Sequence, residues 1–203
     1  MAGVEILTAD EMRLLLARPN VRYPTGLRNR VILEVLYRCG LRASEVSLLE
    51  LADVRWKDET LRIRAEVQKG GHRLAGTDAG RKTVAVLDLE PETLQWIGRW
   101  RDVRRTYARK THTPLLFCTL TGRMVWRQYI WEMVSRSAQK AGIDHPVWPH
   151  MLRHTYATEL LVEGMNIRQV QTLMRHSDVR TTEIYTHVNA AVLRERVRAR
   201  RAS

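Results

Sequence analysis

The sequence predicts one mostly α-helical domain that carries a small antiparallel β-sheet, an α+β architecture. Apolar residues recur at helical spacing through most of the 203 residues, as expected for helices that bury one face. In one central stretch the spacing changes to every second residue, which is typical of strands. No repeat, low-complexity run or linker divides the chain, so we expect residues 1–203 to form a single domain.

The first three helices are predicted by their boundaries as well as by their apolar stripes. Residues 8–11 read Thr-Ala-Asp-Glu, which has the form of a capping box at a helix start. A second helix is expected over 27–37, where a wide apolar stripe is closed by Gly40. A third helix is expected to begin near Ser44.

The sheet is predicted from the middle of the chain. Residues 54–56 and 61–63 alternate about a polar turn, and Val67 and residues 84–87 continue the strand pattern. The Gly-rich stretch 69–81 between them predicts a long hairpin tip.

Helix patterns resume at Pro91, a residue type favoured in the first helical turn. The remaining predicted helices are 127–141, 150–163, 167–174 and the very basic 190–200. Cys39 and Cys118 lie in apolar stretches without metal-type spacing, so we interpret both as small core residues. We also expect all six tryptophans to pack in the core: Trp56, Trp96, Trp100, Trp126, Trp131 and Trp148.

The charge balance favours a polyanionic partner. The chain has 34 Lys and Arg against 22 Asp and Glu, a formal net charge of +12, and such a surplus most often serves nucleic acid. No apolar run reaches the length of a membrane span. The first 16 residues carry acids where a signal peptide needs bases. We therefore expect a cytoplasmic protein.

The C-terminal third holds residue types that suit phosphodiester cleavage without a metal. Such a reaction needs fixed cations around the phosphate, a nucleophile and proton donors. His150 and Arg153 lie three residues apart on a predicted helix, so both can face one site. His150 and His154 also have a spacing that could hold zinc, but the glutamate of a metalloprotease motif is missing between them. We therefore expect no metal.

Four segments carry a resemblance to a known family. PHMLRHTYATELLVEG, LMRHSD and TTEIYTHV, with GLRASEVSLLELADV upstream, resemble the ordered signatures of the tyrosine recombinases, also called phage integrases. The resemblance covers about residues 8–188 and implies the catalytic-domain fold of that family. It also implies cleavage and rejoining of DNA strands through a 3′-phosphotyrosyl intermediate, with no cofactor. A type IB topoisomerase-like enzyme and a catalytically silent DNA-binding protein of the same fold are the alternatives.

The resemblance also implies roles for individual residues. Arg42 and Arg153 would hold the scissile phosphate, and Tyr185 would attack it. His150 and His176 would contact the phosphate oxygens, with His150 also assisting proton transfer. Lys69 would protonate the leaving 5′ oxygen, with Lys82 as a rival, and Glu45 would orient the arginines. The implied catalytic set is Arg42, Lys69, His150, Arg153, His176 and Tyr185.

The chain departs from the family pattern at Arg175, where relatives usually have glycine. A left-handed backbone at this position would cost a non-glycine residue about 1 kcal/mol. Alternatively, Arg175 would touch DNA, as would Arg73 and Lys82. The N-terminal core-binding domain usual in the family has no counterpart in residues 1–203, which we expect to be either a fragment or a short member.

The resemblance further implies double-stranded DNA as the partner. It implies a protein that is monomeric when free and tetrameric on DNA. The basic residues 189–203 alternate with apolar ones, and we expect this tail to dock on a neighbouring protomer.

Overall fold

The computed structural model describes residues 6–67, 84–109 and 111–175. Within these ranges the helices are α1 (Ala9–Ala17), α2 (Pro24–Arg38), α3 (Ala43–Leu48), α4 (Pro91–Ala108), α5 (Arg127–Lys140), α6 (Pro149–Val162) and α7 (Ile167–Leu173). The strands are β1 (Val54–Arg55), β2 (Thr60–Ile63) and β3 (Ala85–Asp88). The predicted hairpin tip and the basic 190–200 helix lie outside the described residues. None of the described helices combines the length and apolar character of a membrane span.

The three strands form one antiparallel sheet in the order β1-β2-β3. Leu61 lies opposite Val54 on one side and Leu87 on the other, and all three side chains face the core. The predicted alternation is therefore confirmed. Val67 is not in a strand, because a hydrogen bond from its N–H to the carbonyl of Arg64 (3.2 Å) closes a 3₁₀ turn. Its side chain is buried, and a single apolar residue cannot distinguish a strand from a buried turn.

Helix α2 is the centre of the core, and it packs against α1, α3, α4, α5 and α6. Five of its apolar side chains have no exposed surface: Val31, Ile32, Leu33, Val35 and Leu36. Glu34 on the same helix is also fully buried and forms ion pairs with Arg30 and Arg38. A buried carboxylate is tolerated only with such partners, so the two arginines allow α2 to be enclosed on nearly every side.

The helix boundaries follow the signals in the sequence. The capping box before α1 is formed, with Thr8 Oγ1 accepting from the N–H of Glu11 at 3.2 Å and the Glu11 carboxylate accepting from the N–H of Thr8 at 2.8 Å. Pro91 and Pro149 occupy the first turns of α4 and α6. Cys39 and Cys118 are buried free thiols, as predicted.

Two of the six tryptophans contradict the prediction of core packing. Trp126 and Trp131 are 66% and 49% exposed. Trp126 precedes α5, and Trp131 lies at the edge of the buried stripe of that helix, which includes Ile130 and Met133. Trp100, in contrast, is fully buried, and its Nε1 donates to the carbonyl of Leu116 at 2.8 Å.

Gly40 joins α2 to α3 at a point where two other segments approach the backbone. Its φ is +56°, and a Cβ there would lie 2.7 Å from Cδ1 of Tyr156 and 3.0 Å from Sδ of Met174. Gly142, after α5, also has a positive φ (+80°), but nothing lies within 4 Å of its Cβ position. Both glycines satisfy a left-handed backbone, and Gly40 additionally permits close packing of α6 and the end of α7.

We expect Gly40→Ala to lower the free energy of unfolding by about 2–4 kcal/mol, because the added methyl group meets both backbone strain and overlap. Gly142→Ala is the matched control, since it introduces strain without overlap and should cost about 1 kcal/mol. Urea unfolding of the two variants measures the difference. Equal losses of unfolding free energy in the two variants would show that Tyr156 and Met174 do not pack tightly against the Cβ position of Gly40.

Candidate active site

Glu45 is a fully buried carboxylate at the start of α3. Its carboxylate caps the start of the helix, because Oε2 accepts from the backbone N–H of Arg42 at 2.8 Å. The guanidinium of Arg42 also donates from Nη1 to Oε1 at 3.1 Å. Because the carboxylate binds both the backbone and the side chain of Arg42, it fixes where the helix begins and where this arginine points.

Arg153 reaches the same place from α6. Its side chain is 4% exposed, and its Nη1 lies 3.9 Å from Oε2 of Glu45. Nη1 donates to the carbonyl of Gly40, and Nη2 donates to the carbonyl of Met174. The planar guanidinium therefore bridges the loop before α3 and the end of α7, which fixes its orientation.

Arg175 supplies a third guanidinium. Its φ is +52°, so the left-handed backbone expected at this position is confirmed. Nη2 donates to Oε2 of Glu45 at 3.1 Å, and Nη1 donates to the carbonyl of Leu173 at 3.1 Å. The side chain is only 5% exposed. This placement does not support the suggested contact of Arg175 with DNA, because its guanidinium is turned inward and both Nη atoms donate within the protein.

The charge of Glu45 is set by these neighbours. Burial alone would raise its pKa, but the charge of Arg175 and the N–H of Arg42 oppose this effect. The charges of Arg153 and Arg42 act in the same direction, and the net result is a lowered pKa. Glu45 is therefore ionised at neutral pH. Three guanidiniums around one carboxylate leave a surplus of positive charge, which can bind an anion.

Two histidines of α6 adjoin this cluster. His150, in the first turn, is exposed, and its ring lies 6.5 Å from that of His154, centroid to centroid. Burial lowers the pKa of His154 to about 4, helped by the charges of His150 and Arg153. His154 is therefore neutral near pH 7. In the part of the chain that the structure describes, the group with metal-ligand proximity is Glu11, Asp144 and His145, so the zinc interpretation of His150 and His154 gains no support.

Comparison with known proteins gives a family match over most of the chain. Residues 5–191 match the model of the phage integrase family. The chain belongs to the phage integrase family.

Relatives within this family include tyrosine recombinases named XerD. The XerD of Pseudomonas aeruginosa is 37% identical over 190 residues, which cover 93% of this chain and 59% of the relative. The XerD of Staphylococcus aureus is 34% identical over 191 residues, covering 94% and 60%. The chain thus spans about three-fifths of the length of these relatives.

Solved structures give the same fold. The crystal structure of XerA recombinase has a TM-score of 0.78 at 28% identity, covering 98% of this chain and 66% of that one. A XerH site-specific recombinase bound to its difH substrate has a TM-score of 0.72 at 23% identity, covering 90% and 50%. At that identity the second likeness shows the fold alone. The predicted catalytic-domain fold is confirmed.

The integrase-family residues predicted from the sequence divide into two groups. The structure brings Arg42, Glu45 and Arg153 together, and it places His150 on the same helix as Arg153. The others lie outside the described residues and stay predictions: Lys69, Arg73, Lys82, His176 and Tyr185. Sequence reasoning missed the inward contact of Arg175 with Glu45. A positively charged residue at a position that favours glycine was the available signal.

His154, whose pKa is lowered, and His145, whose pKa is raised, lead to a prediction of how stability depends on pH. The folded-state pKa of His154 is below its unfolded value, so between about pH 6.5 and pH 4 only the unfolded chain gains this proton. The stability of the wild-type chain should therefore fall on acidification by up to about 1.4 kcal/mol per pH unit from this residue. His154→Gln should reduce that slope, as measured by urea unfolding near pH 7 and pH 5.

His145→Gln is the control of opposite sign. A hydrogen bond to Glu11 raises the pKa of His145, so its contribution is present at low pH and disappears as the pH rises through the folded pKa. His145→Gln removes this stabilisation, so the free energy of unfolding should fall more steeply on acidification than in the wild type. An unchanged slope in His154→Gln would mean that this imidazole is not protected from protonation.

Proposed function

We propose that this chain is a DNA strand transferase of the site-specific recombinase type, with Tyr185 as the nucleophile. The observation that carries the proposal is the convergence of Arg42 and Arg153 beside Glu45, in a chain of the phage integrase family. The reaction cleaves a strand by forming a 3′-phosphotyrosyl bond and releasing a 5′ hydroxyl. Rejoining reverses this exchange, so the energy of the phosphodiester is conserved without ATP.

The arginines account for how a phenol can attack phosphate without a metal ion. Negative charge grows on the non-bridging oxygens in the transition state, and guanidiniums held in place before the reaction stabilise it without reorganisation. A free tyrosine has a pKa of about 10 and is a weak nucleophile at neutral pH. Nearby cations favour the phenolate, so the same groups assist both attack and charge development.

The remaining roles are proposed from the family pattern. His150 would contact the phosphate and accept the phenol proton, and its exposed position in the first turn of α6 supports access to a substrate. His176 would donate to a non-bridging oxygen. Lys69, or Lys82, would protonate the leaving oxygen. Arg73 and Lys82 would contact DNA outside the scissile phosphate.

Double-stranded DNA is the proposed partner. Solved relatives include XerH on its difH substrate and a Tn1549 transposon integrase with a circular intermediate DNA. The net charge of +12 supports binding to phosphates. We also propose assembly into a tetramer on DNA, docking of residues 189–203 on a neighbouring protomer, and a cytoplasmic location.

We expect Tyr185→Phe to abolish a covalent protein–DNA adduct while DNA binding survives, because only the phenolic oxygen is lost. The probe is a pool of nicked duplexes with randomised sequence around the nick, from which cleavage releases a short fragment and traps the adduct. Denaturing electrophoresis and sequencing of the captured DNA measure the adduct. Tyr23→Phe is the control, because Tyr23 is 66% exposed and precedes α2.

Binding without an adduct in the wild-type chain would instead favour a catalytically silent DNA-binding protein. An adduct that persists in Tyr185→Phe would assign the nucleophile to another residue. Adducts formed equally on all sequences in the pool would favour a topoisomerase-like enzyme.

We expect Arg153→Lys to slow adduct formation by about a hundredfold or more, because an ammonium cannot hold the geometry of a guanidinium that bridges two carbonyls. Arg104→Lys is a closely matched control. Arg104 is also buried (4% exposed, against 3% for Arg153) and donates to two backbone carbonyls, those of Leu115 (2.7 Å) and Thr113 (2.8 Å). Comparable rates in the two variants would argue that Arg153 is only structural.

A further inference from the structure

We propose that Arg175 is a positioning residue that anchors Glu45, and through it Arg42, to the turn that leads into His176. The inference rests on the proposed function and deepens it.

The geometry makes Glu45 a shared acceptor for two arginines from distant parts of the sequence. Oε2 accepts from the N–H of Arg42 at 2.8 Å and from Nη2 of Arg175 at 3.1 Å. Oε1 accepts from Nη1 of Arg42 at 3.1 Å. Rotation of the Glu45 carboxylate would break contacts with both arginines at once. Arg175 therefore restricts the carboxylate that orients Arg42.

The backbone conformation of Arg175 disfavours a side chain at this position. A φ of +52° disfavours every residue with a Cβ, and glycine removes that cost. The side chain offsets it in two ways. It pairs with a buried carboxylate, and it donates to the carbonyl of Leu173 at the end of α7, where helix carbonyls lack partners within the helix.

The other titratable groups that face Arg175 do not compete with Glu45 for its charge. The positive charge of Arg175 acts on the Cys39 thiol and the Tyr156 phenol, but burial raises the pKa of each to about 12. Both are neutral near pH 7. Arg42 and Arg153 are the other charged groups that face Glu45 within the described residues. Loss of Arg175 thus removes one of three cations that keep this carboxylate ionised.

Arg175→Gly is the informative variant, because it removes the guanidinium and also relieves the backbone. If Arg175 only fills space in a strained turn, the glycine variant should react as fast as the wild type. If Arg175 positions Glu45, the glycine variant should react more slowly. We expect the single-turnover rate of adduct formation on the captured nicked duplex to fall about ten- to a hundredfold, because small misplacements of reacting groups slow a reaction by such factors. DNA affinity should change little.

The pH profile gives a readout that a purely structural role would not move. Glu45 must be ionised to hold Arg42, and fewer cations raise the pH at which it takes up a proton. The acid limb of the rate profile should therefore shift to higher pH in Arg175→Gly. Arg175→Lys, which retains the charge, should lie between that variant and the wild type in both rate and profile.

Two further variants complete the test. In a Glu45→Gln background, changing Arg175 to glycine should have little additional effect, because coupled residues are not additive. Arg168→Ala removes the same charge from an exposed position on α7 and should leave the acid limb unshifted.

A wild-type rate and profile in Arg175→Gly would overturn the positioning role while leaving the proposed function intact. If Arg175→Gly does not fold, Arg175→Lys decides, and an unchanged rate and profile in Arg175→Lys would overturn the role in the same way. Absence of an adduct with the wild-type chain would overturn the proposed function itself, and the positioning role with it.

Discussion

The arrangement of the site depends on one buried carboxylate. Glu45 lies between a loop, a helix and a turn that are far apart in sequence, and each contributes an arginine. A carboxylate in this environment is unfavourable unless cations and N–H groups surround it. The same constraint acts on the arginines, which would repel one another without it. The negative charge of Glu45 therefore fixes the segments that carry Arg42, Arg153 and Arg175 relative to one another. This charge is stabilised only when the fold brings the three arginines together.

The same solution recurs elsewhere in the core. Glu34 on α2 is fully buried between Arg30 and Arg38, and Asp53 is buried against arginines of the sheet region. In these two clusters the carboxylate lies within the scaffold and shows no relation to the site. At Glu45 a further feature is present, because Arg153 also donates to the neutral carbonyls of Gly40 and Met174. The carboxylate–arginine clusters of the scaffold and of the candidate site are therefore built in the same way.

Local features of the sequence predicted most of the elements. The capping box at Thr8, the proline that begins α4, and the period-two stretch of the sheet are short-range signals, and each produced the element expected. The core-packing prediction was wrong for Trp126 and Trp131, because an apolar residue type does not by itself reveal which parts of the surface the fold covers. Arg42 and Arg153 are 111 positions apart, so their meeting followed from the family resemblance and not from any local pattern. The contact of Arg175 with Glu45 was missed because a side chain at positive φ leaves the backbone in a direction that sequence periodicity does not describe.

How each arginine is held determines what it can still do. A guanidinium paired with a carboxylate gives up much of its attraction for a second anion, whereas one bound by backbone carbonyls is held rigidly and keeps its full charge. Arg42 and Arg175 share the charge of Glu45, while Arg153 donates to two carbonyls and lies 3.9 Å from the carboxylate. Under the proposed function, Arg153 would present a guanidinium of fixed geometry to the phosphate, with Glu45 farther from it than from Arg42 or Arg175. Arg42 supplies a second, partly compensated cation, whose orientation depends on how firmly Glu45 is held.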